Sequence, residues 1–180
     1  LLFYSLSAND LSMPTPEEQF RELFSSFNTA ESAFETSLKN GEDMKETIQY
    51  FSQKKVGLAL LEPHAKYIDK TCLNEEFDTC LSNSQTTKIK RTVLFGLVNN
   101  RFGLHILSCT PEVVDLIDAE VLNKAVEDEG TKGVSPLYLL SSNIEGRRLI
   151  HKSQQVEKMS KSGLNRIVDD GKHEGLSPLA

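Results

Sequence analysis

The sequence predicts an all-α fold, a solenoid of stacked helical hairpins. Sixteen residues from Leu122 to Leu137, LNKAVEDEGTKGVSPL, return as LNRIVDDGKHEGLSPL from Leu164 to Leu179, at a constant offset of 42 and with eight identities. That period falls in the range of repeat architectures. Farther upstream LFGLVNNRFGLHIL (Leu94 to Leu107) lies over LYLLSSNIEGRRLI (Leu137 to Ile150) at offset 43, and IQYFSQKKVGLALL (Ile48 to Leu61) lies over the former at offset 46. In each segment two apolar residues three apart precede a glycine and an apolar pair follows it, which is the pattern of two short helices folded on each other.

The aligned columns define the elements. Ile48, Leu94 and Leu137, with Phe51, Leu97 and Leu140, share one face of a first helix. Gly57, Gly103 and Gly146 come next, and they either cap a helix or let two helices approach closely. Leu60 with Leu61, Ile106 with Leu107, and Leu149 with Ile150 form the apolar pair of a second helix. An asparagine motif follows each hairpin: CLNEEF at 72–77, VLNKAV at 121–126 and GLNRIV at 163–168. The units run over about 43–83, 84–126 and 127–168, with a broken fourth over 169–180.

Ser135-Pro136 reads as a helix start, because a serine N-cap accepts an orphan amide and a proline at the first helical position loses no hydrogen bond. Ser177-Pro178 repeats it. Before each start, EDEGTKG (Glu127 to Gly133) and DDGKHEG (Asp169 to Gly175) have the glycines and acids of an exposed turn. The period leaves room for an extra short helix around Pro111 to Ile117 or Gln154 to Met159. Residues 1–42 do not repeat. There Thr15-Pro16-Glu17-Glu18 is a capping box opening a helix with Phe20, Leu23, Phe24 and Phe27, and a second helix is expected from about Ala30 to Leu38. Such a pair suits a helical N-terminal cap on the apolar end of a stack.

Composition narrows the function classes. Twenty-six acidic against 20 basic residues give a net charge of −6, with no electrostatic footprint for nucleic acid or anionic lipid. Lys88, Lys90 and Arg91, the densest basic cluster, are expected to be a solvated helical face. The three cysteines, Cys72, Cys80 and Cys109, include no CxxC pair and fit a reducing, cytoplasmic compartment. No apolar run is long enough for a membrane span. The chain reads as a piece of a longer protein, starting at Leu1 and stopping one residue after Leu179.

Gly133-Val134-Ser135-Pro136-Leu137-Tyr138 and Gly175-Leu176-Ser177-Pro178-Leu179-Ala180 resemble the ankyrin repeat, whose signature is glycine, a spacer, then Thr-Pro-Leu-His. The likeness extends over residues 43–180, more weakly at Thr92-Val93-Leu94 and Thr47-Ile48, which lack the proline. The units here exceed the family's period of about 33, and Tyr138 stands where the motif has histidine. In this the chain is similar to the long, divergent ankyrin-like repeats of large proteins from intracellular bacteria.

The resemblance implies a protein-protein interaction module presenting a concave surface and turn tips to another protein, with no cofactor. Its expected contacts are Glu129, Thr131 and Lys132, their counterparts Lys172 and His173, and Tyr138 on the first helix. The alternative is a substrate-recruiting segment of a longer multidomain enzyme, or of a secreted bacterial effector acting in the host cell cytosol. No catalytic or metal role is expected of the residues present. His105 and Cys109 are four apart and share a helix face, but two ligands do not make a metal site and a small thiol in an apolar run is ordinary packing. The paired acids Glu17-Glu18, Glu75-Glu76 and Asp169-Asp170 sit at helix starts or turns, where they suit the helix dipole. No phosphate-loop, dinucleotide, HExxH or EF-hand pattern is present.

Overall fold

The computed structural model describes residues 32, 35–36, 44–53, 55–80, 88–128, 131–153, 155–169 and 174–179. Of the helical pair expected over 1–42, only Ser32, Glu35 and Thr36 are described, all helical; the remainder lies outside the described residues. In chain order come α1 (Met44–Ser52), α2 (Lys55–Leu61), a 3-10 turn (Glu62–Tyr67), α3 (Lys70–Asn74), β1 (Phe77–Cys80), β2 (Lys88–Arg91), α4 (Val93–Val98) and α5 (Arg101–Cys109). Then follow α6 (Pro111–Asp115), α7 (Ala119–Asn123), α8 (Pro136–Ser141), α9 (Ile144–Lys152), a second 3-10 turn (Gln155–Lys158) and α10 (Lys161–Leu164).

The helices pair as three hairpins, α1 with α2, α4 with α5 and α8 with α9. Neighbouring hairpins stack in register: α4 packs on α1 and on α8, while α5 packs on α2 and on α9. All the apolar columns are buried, from Ile48, Leu94 and Leu137 through to Leu61, Leu107 and Ile150, within one continuous core. The glycine column serves close approach. A Cβ on Gly57, Gly103 or Gly146 would strike the backbone of Phe51, Leu97 or Leu140, so the second helix folds back onto the last turn of the first with nothing but hydrogen between them.

Local chemistry starts both helices of the second and third hairpins. Thr92 and Ser135 accept from the amides of Phe95 and Tyr138, both at 3.1 Å, and so cap the first helices of the second and third hairpins. Asn100 and Asn143 cap the second helices, accepting from the amides of Phe102 at 2.9 Å and Glu145 at 2.8 Å. The extra short helices expected near Pro111 and Gln154 are α6 and the second 3-10 turn.

The asparagine motif joins one unit to the next. Asn74 on α3 donates from Nδ2 to the Leu116 carbonyl (2.8 Å) and accepts at Oδ1 from the Asp118 amide (3.0 Å). Asn123 on α7 does the same for the carbonyl and amide 42 positions farther on, donating to the Lys158 carbonyl (2.8 Å) and accepting from the Ser160 amide (2.9 Å). Each amide satisfies a carbonyl and an N–H two residues apart that would otherwise be left unpaired at the boundary.

The expectation of an all-α chain is corrected by β1 and β2, which pair antiparallel with Phe77 opposite Arg91 and Cys80 opposite Lys88. The basic cluster expected as a solvated helical face is this second strand. Lys88 and Lys90 are exposed and Ile89 and Arg91 buried, the period-two alternation of a half-buried strand. An isolated hairpin of this length is marginal in water; Arg91 ties it to the turn of the following unit.

Candidate functional site

That turn is the surface the sequence marks for contact, and it is organised by a charged pair. The guanidinium of Arg91 is only 5% exposed and forms an ion pair with Asp128. It also lies 4.5 Å over the Phe95 ring and donates to the Lys90 carbonyl and to Thr131 Oγ1, each at 3.1 Å. Burial lowers Arg91 from its ordinary range to about 10, which leaves it cationic at neutral pH. The turn closes on itself, Val126 and Gly133 donating to the carbonyls of Val134 and Val126 at 2.9 Å each. Gly133 has φ +87°, a conformation that a side chain at this position would strain.

The next turn repeats the arrangement. Val168 donates to the Leu176 carbonyl (2.8 Å), Gly175 donates to the Val168 carbonyl (3.0 Å), and Gly175 has φ +79°. The two turns lie side by side, joined by a hydrogen bond from the Asp169 amide to the Lys132 carbonyl at 3.0 Å.

Of the expected contact residues, Lys132 is exposed and Thr131 half-buried, its hydroxyl already accepting from Arg91. Glu129, Lys172 and His173 lie outside the described residues. Tyr138 is corrected: it is 3% exposed and packs with Phe95, Val134 and Val168. It comes two residues after the N1 proline of α8, where a helical side chain leans back over the turn before it, and there it roofs a small apolar cluster. Burial raises its phenol above the usual value of 10.0.

The second helices form a different surface, which the sequence did not announce. An open cleft of about 780 Å³ runs between the start of the first 3-10 turn, α5, α6 and α9. Leu104, Leu107, Val114 and Leu149 give it an apolar floor, and Phe102 lines it with the charged side chains Glu62, Arg101, Glu145, Arg148 and Lys152. His105 and Arg148 occupy the same repeat position, 43 apart, on neighbouring second helices. That spacing was the available signal. It stayed unread because the exposed face of a repeat varies while its core columns recur.

His105 and Cys109 do meet in this region, with the thiol 3.7 Å from Nε2 and 3.9 Å from Nδ1. Glu62 Oε1 approaches the same Nε2 at 3.2 Å. Activating a thiol requires the carboxylate on one ring nitrogen and the thiol on the other; here the thiol lies nearly equidistant from both nitrogens, and all three side chains are solvated. Among the described residues no three His, Cys, Asp or Glu side chains gather as a metal site, and no helix is long and apolar enough to cross a membrane.

Fold and surfaces together define a mostly helical chain of stacked hairpins, with a two-stranded ribbon on the turn side and an apolar-floored cleft along the second helices. No protein-family model, curated protein or solved structure matches it.

Proposed function

We propose that the chain is a protein-protein interaction module, an ankyrin-like stack that binds a partner protein. The cleft supports this most directly: an open concave surface backed by the apolar core, beneath a rim of both charge signs, is the make-up of a groove for an amphipathic segment. The rim contributes Arg101, Arg148 and Lys152 against Glu62 and Glu145, which favours a segment with acidic residues flanking its apolar anchors. The turn side, with Lys132 and, in the next copy of the turn sequence, Lys172 and His173, is the second surface available to the same partner.

Affinity capture with the 180-residue chain, followed by titration of the captured protein against surface variants, tests the proposal. Arg148→Glu with Lys152→Glu should weaken binding if the cleft is used, and Lys132→Glu with Lys172→Glu if the turn side is used. Surface changes of this kind shift stability by no more than about 0.5 kcal/mol, so a melting curve separates lost contact from lost fold. A captured protein whose affinity ignores both pairs would remove these surfaces, and failure to retain any protein would leave a structural spacer.

A further inference from the structure

We propose that the partner's segment supplies a carboxylate that the boundary between the second and third hairpins lacks, so that the cleft selects its occupant by an acidic residue held over Arg148 and Lys152. This rests on the cleft serving as the binding groove, and it names what that groove reads.

Comparison of the two boundaries shows the gap. Across the first, Glu62 Oε1 meets Nε2 of His105 on α5 at 3.2 Å. The residue in the place of His105 on α9 is Arg148, 43 positions later, and the residue in the place of Glu62 is Ser108, 46 positions later, the same offsets that align the apolar columns. Because α9 stacks on α5 as α5 stacks on α2, Ser108 stands toward Arg148 where Glu62 stands toward His105, and all four line the cleft. A serine hydroxyl brings no charge, and this one already donates to the His105 carbonyl at 2.8 Å. The second boundary has the basic group without the acid.

A second cation sharpens the mismatch. Lys152 follows Arg148 by four residues on one face of α9, where the preceding unit has Cys109. Like charges at this spacing oppose each other. Both side chains are exposed, and among the described residues neither has an ion pair or a hydrogen bond. By contrast Lys70 and Lys124 cross the first boundary to Asp118 and Glu76, at 2.8 and 2.9 Å.

Position gives the segment a direction. At the starts of α5 and α9, Arg101 and Glu145 offer both signs, so the net pull on an acid lies farther along, at Arg148 and at Lys152 in the last turn of α9. A helix with acids in its first turn fits there when it runs antiparallel to α9. That orientation also sets its positive end beside the negative end of α9.

A displayed library of amphipathic peptides of about 15 residues, long enough to hold a helix, is selected on the 180-residue chain and should enrich sequences with Asp or Glu in the first turn. One enriched peptide, and its counterpart with glutamine in place of that acid, are then titrated by fluorescence anisotropy against the parent and against Ser108→Glu, which fills the gap from within the chain. The acidic peptide should bind Ser108→Glu about tenfold more weakly than the parent, because attraction is replaced by competition for Arg148, while the glutamine peptide should bind both alike. Arg148→Gln with Lys152→Gln should abolish the advantage of the acidic peptide over the glutamine one. All three positions are exposed, and matching melting curves show that the fold is kept. Enriched peptides without a fixed acid, or a loss at Ser108→Glu that is equal for both peptides, overturn the proposal and leave the groove standing. If nothing is enriched, or if no exposed residue of the cleft alters the affinity, the groove reading falls with it.

Discussion

Gly103 faces the backbone of Leu97 so closely that a methyl group in its place would lie far inside van der Waals contact with the Leu97 carbonyl. In an open helix, Gly→Ala would gain about 1 kcal/mol from propensity. Here the clash is with main chain in the middle of the core, where overpacking costs about 1 to 3 kcal/mol or more, and the steric term wins. Gly103→Ala is expected to lose about 2 kcal/mol in urea unfolding. A gain in stability would mean that the hairpin opens freely.

Leu137 and Leu179 are the same residue of the repeat in opposite environments, one fully buried and the other 64% exposed. Leu137→Ala should cost about 2 to 5 kcal/mol, the loss of a buried side chain plus the cavity left behind. Leu179→Ala should stay within about 0.5 kcal/mol of the parent. Equal effects in denaturant titration would show that the two units are packed alike.

A similar contrast holds for the asparagines. Asn123→Ala strands the Lys158 carbonyl and the Ser160 amide at a packed boundary, and each buried group left unpaired costs about 1 to 3 kcal/mol. Asn165→Ala removes only a local bond on an exposed helix and should be close to neutral. If both cost the same, the clamp between units contributes nothing beyond the bond within its own helix.

Much of this was legible in the sequence. The apolar columns and the glycine between them recur because packing between hairpins imposes the same demand on every unit, and Ser135-Pro136 announces its helix by chemistry local to four residues. What stayed hidden depends on partners distant in sequence. Lys88 to Arg91 spans too few residues for its alternation to stand out from a charged helix face, and its pairing strand begins at Phe77. Arg91 is buried because Asp128, nearly forty residues later, comes to meet it. Tyr138 seemed available for contact because it follows an exposed-looking turn, yet the turn folds over so that its ring closes the cluster beneath. The cleft is shared among three units and so has no motif in any one of them.

The Arg91 and Asp128 pair gives a test of that long-range link. Asp128→Ala leaves a buried cation without its counter-charge and should cost about 3 to 5 kcal/mol. The double variant Arg91→Met, Asp128→Leu, which replaces both charges with apolar groups, should recover much of the loss. A double variant no more stable than Asp128→Ala would show that the turn needs Arg91 for its hydrogen bonds to Lys90 and Thr131 more than for its charge.

Tyr138 sets an expectation for alkaline pH. Burial holds its phenol above the unfolded value of 10.0, so below that pH both states keep the proton and its contribution to stability is complete. Above it the unfolded chain releases the proton while the folded chain retains it, the folded state binds more protons, and stability falls as pH rises until the folded phenol ionises too. Arg91 acts in the opposite sense: folded near 10, well below its ordinary range, it leaves the unfolded chain with more protons above that pH, and stability rises with pH. The parent curve mixes the two slopes, but Tyr138→Phe keeps Arg91 and removes only the phenol. Urea midpoints measured from neutral pH to about pH 11 should therefore show the difference between variant and parent moving steadily in favour of phenylalanine once pH exceeds about 10. A difference that stays constant across that range would place the Tyr138 hydroxyl in water, and with it would go the buried cluster that joins the two turns.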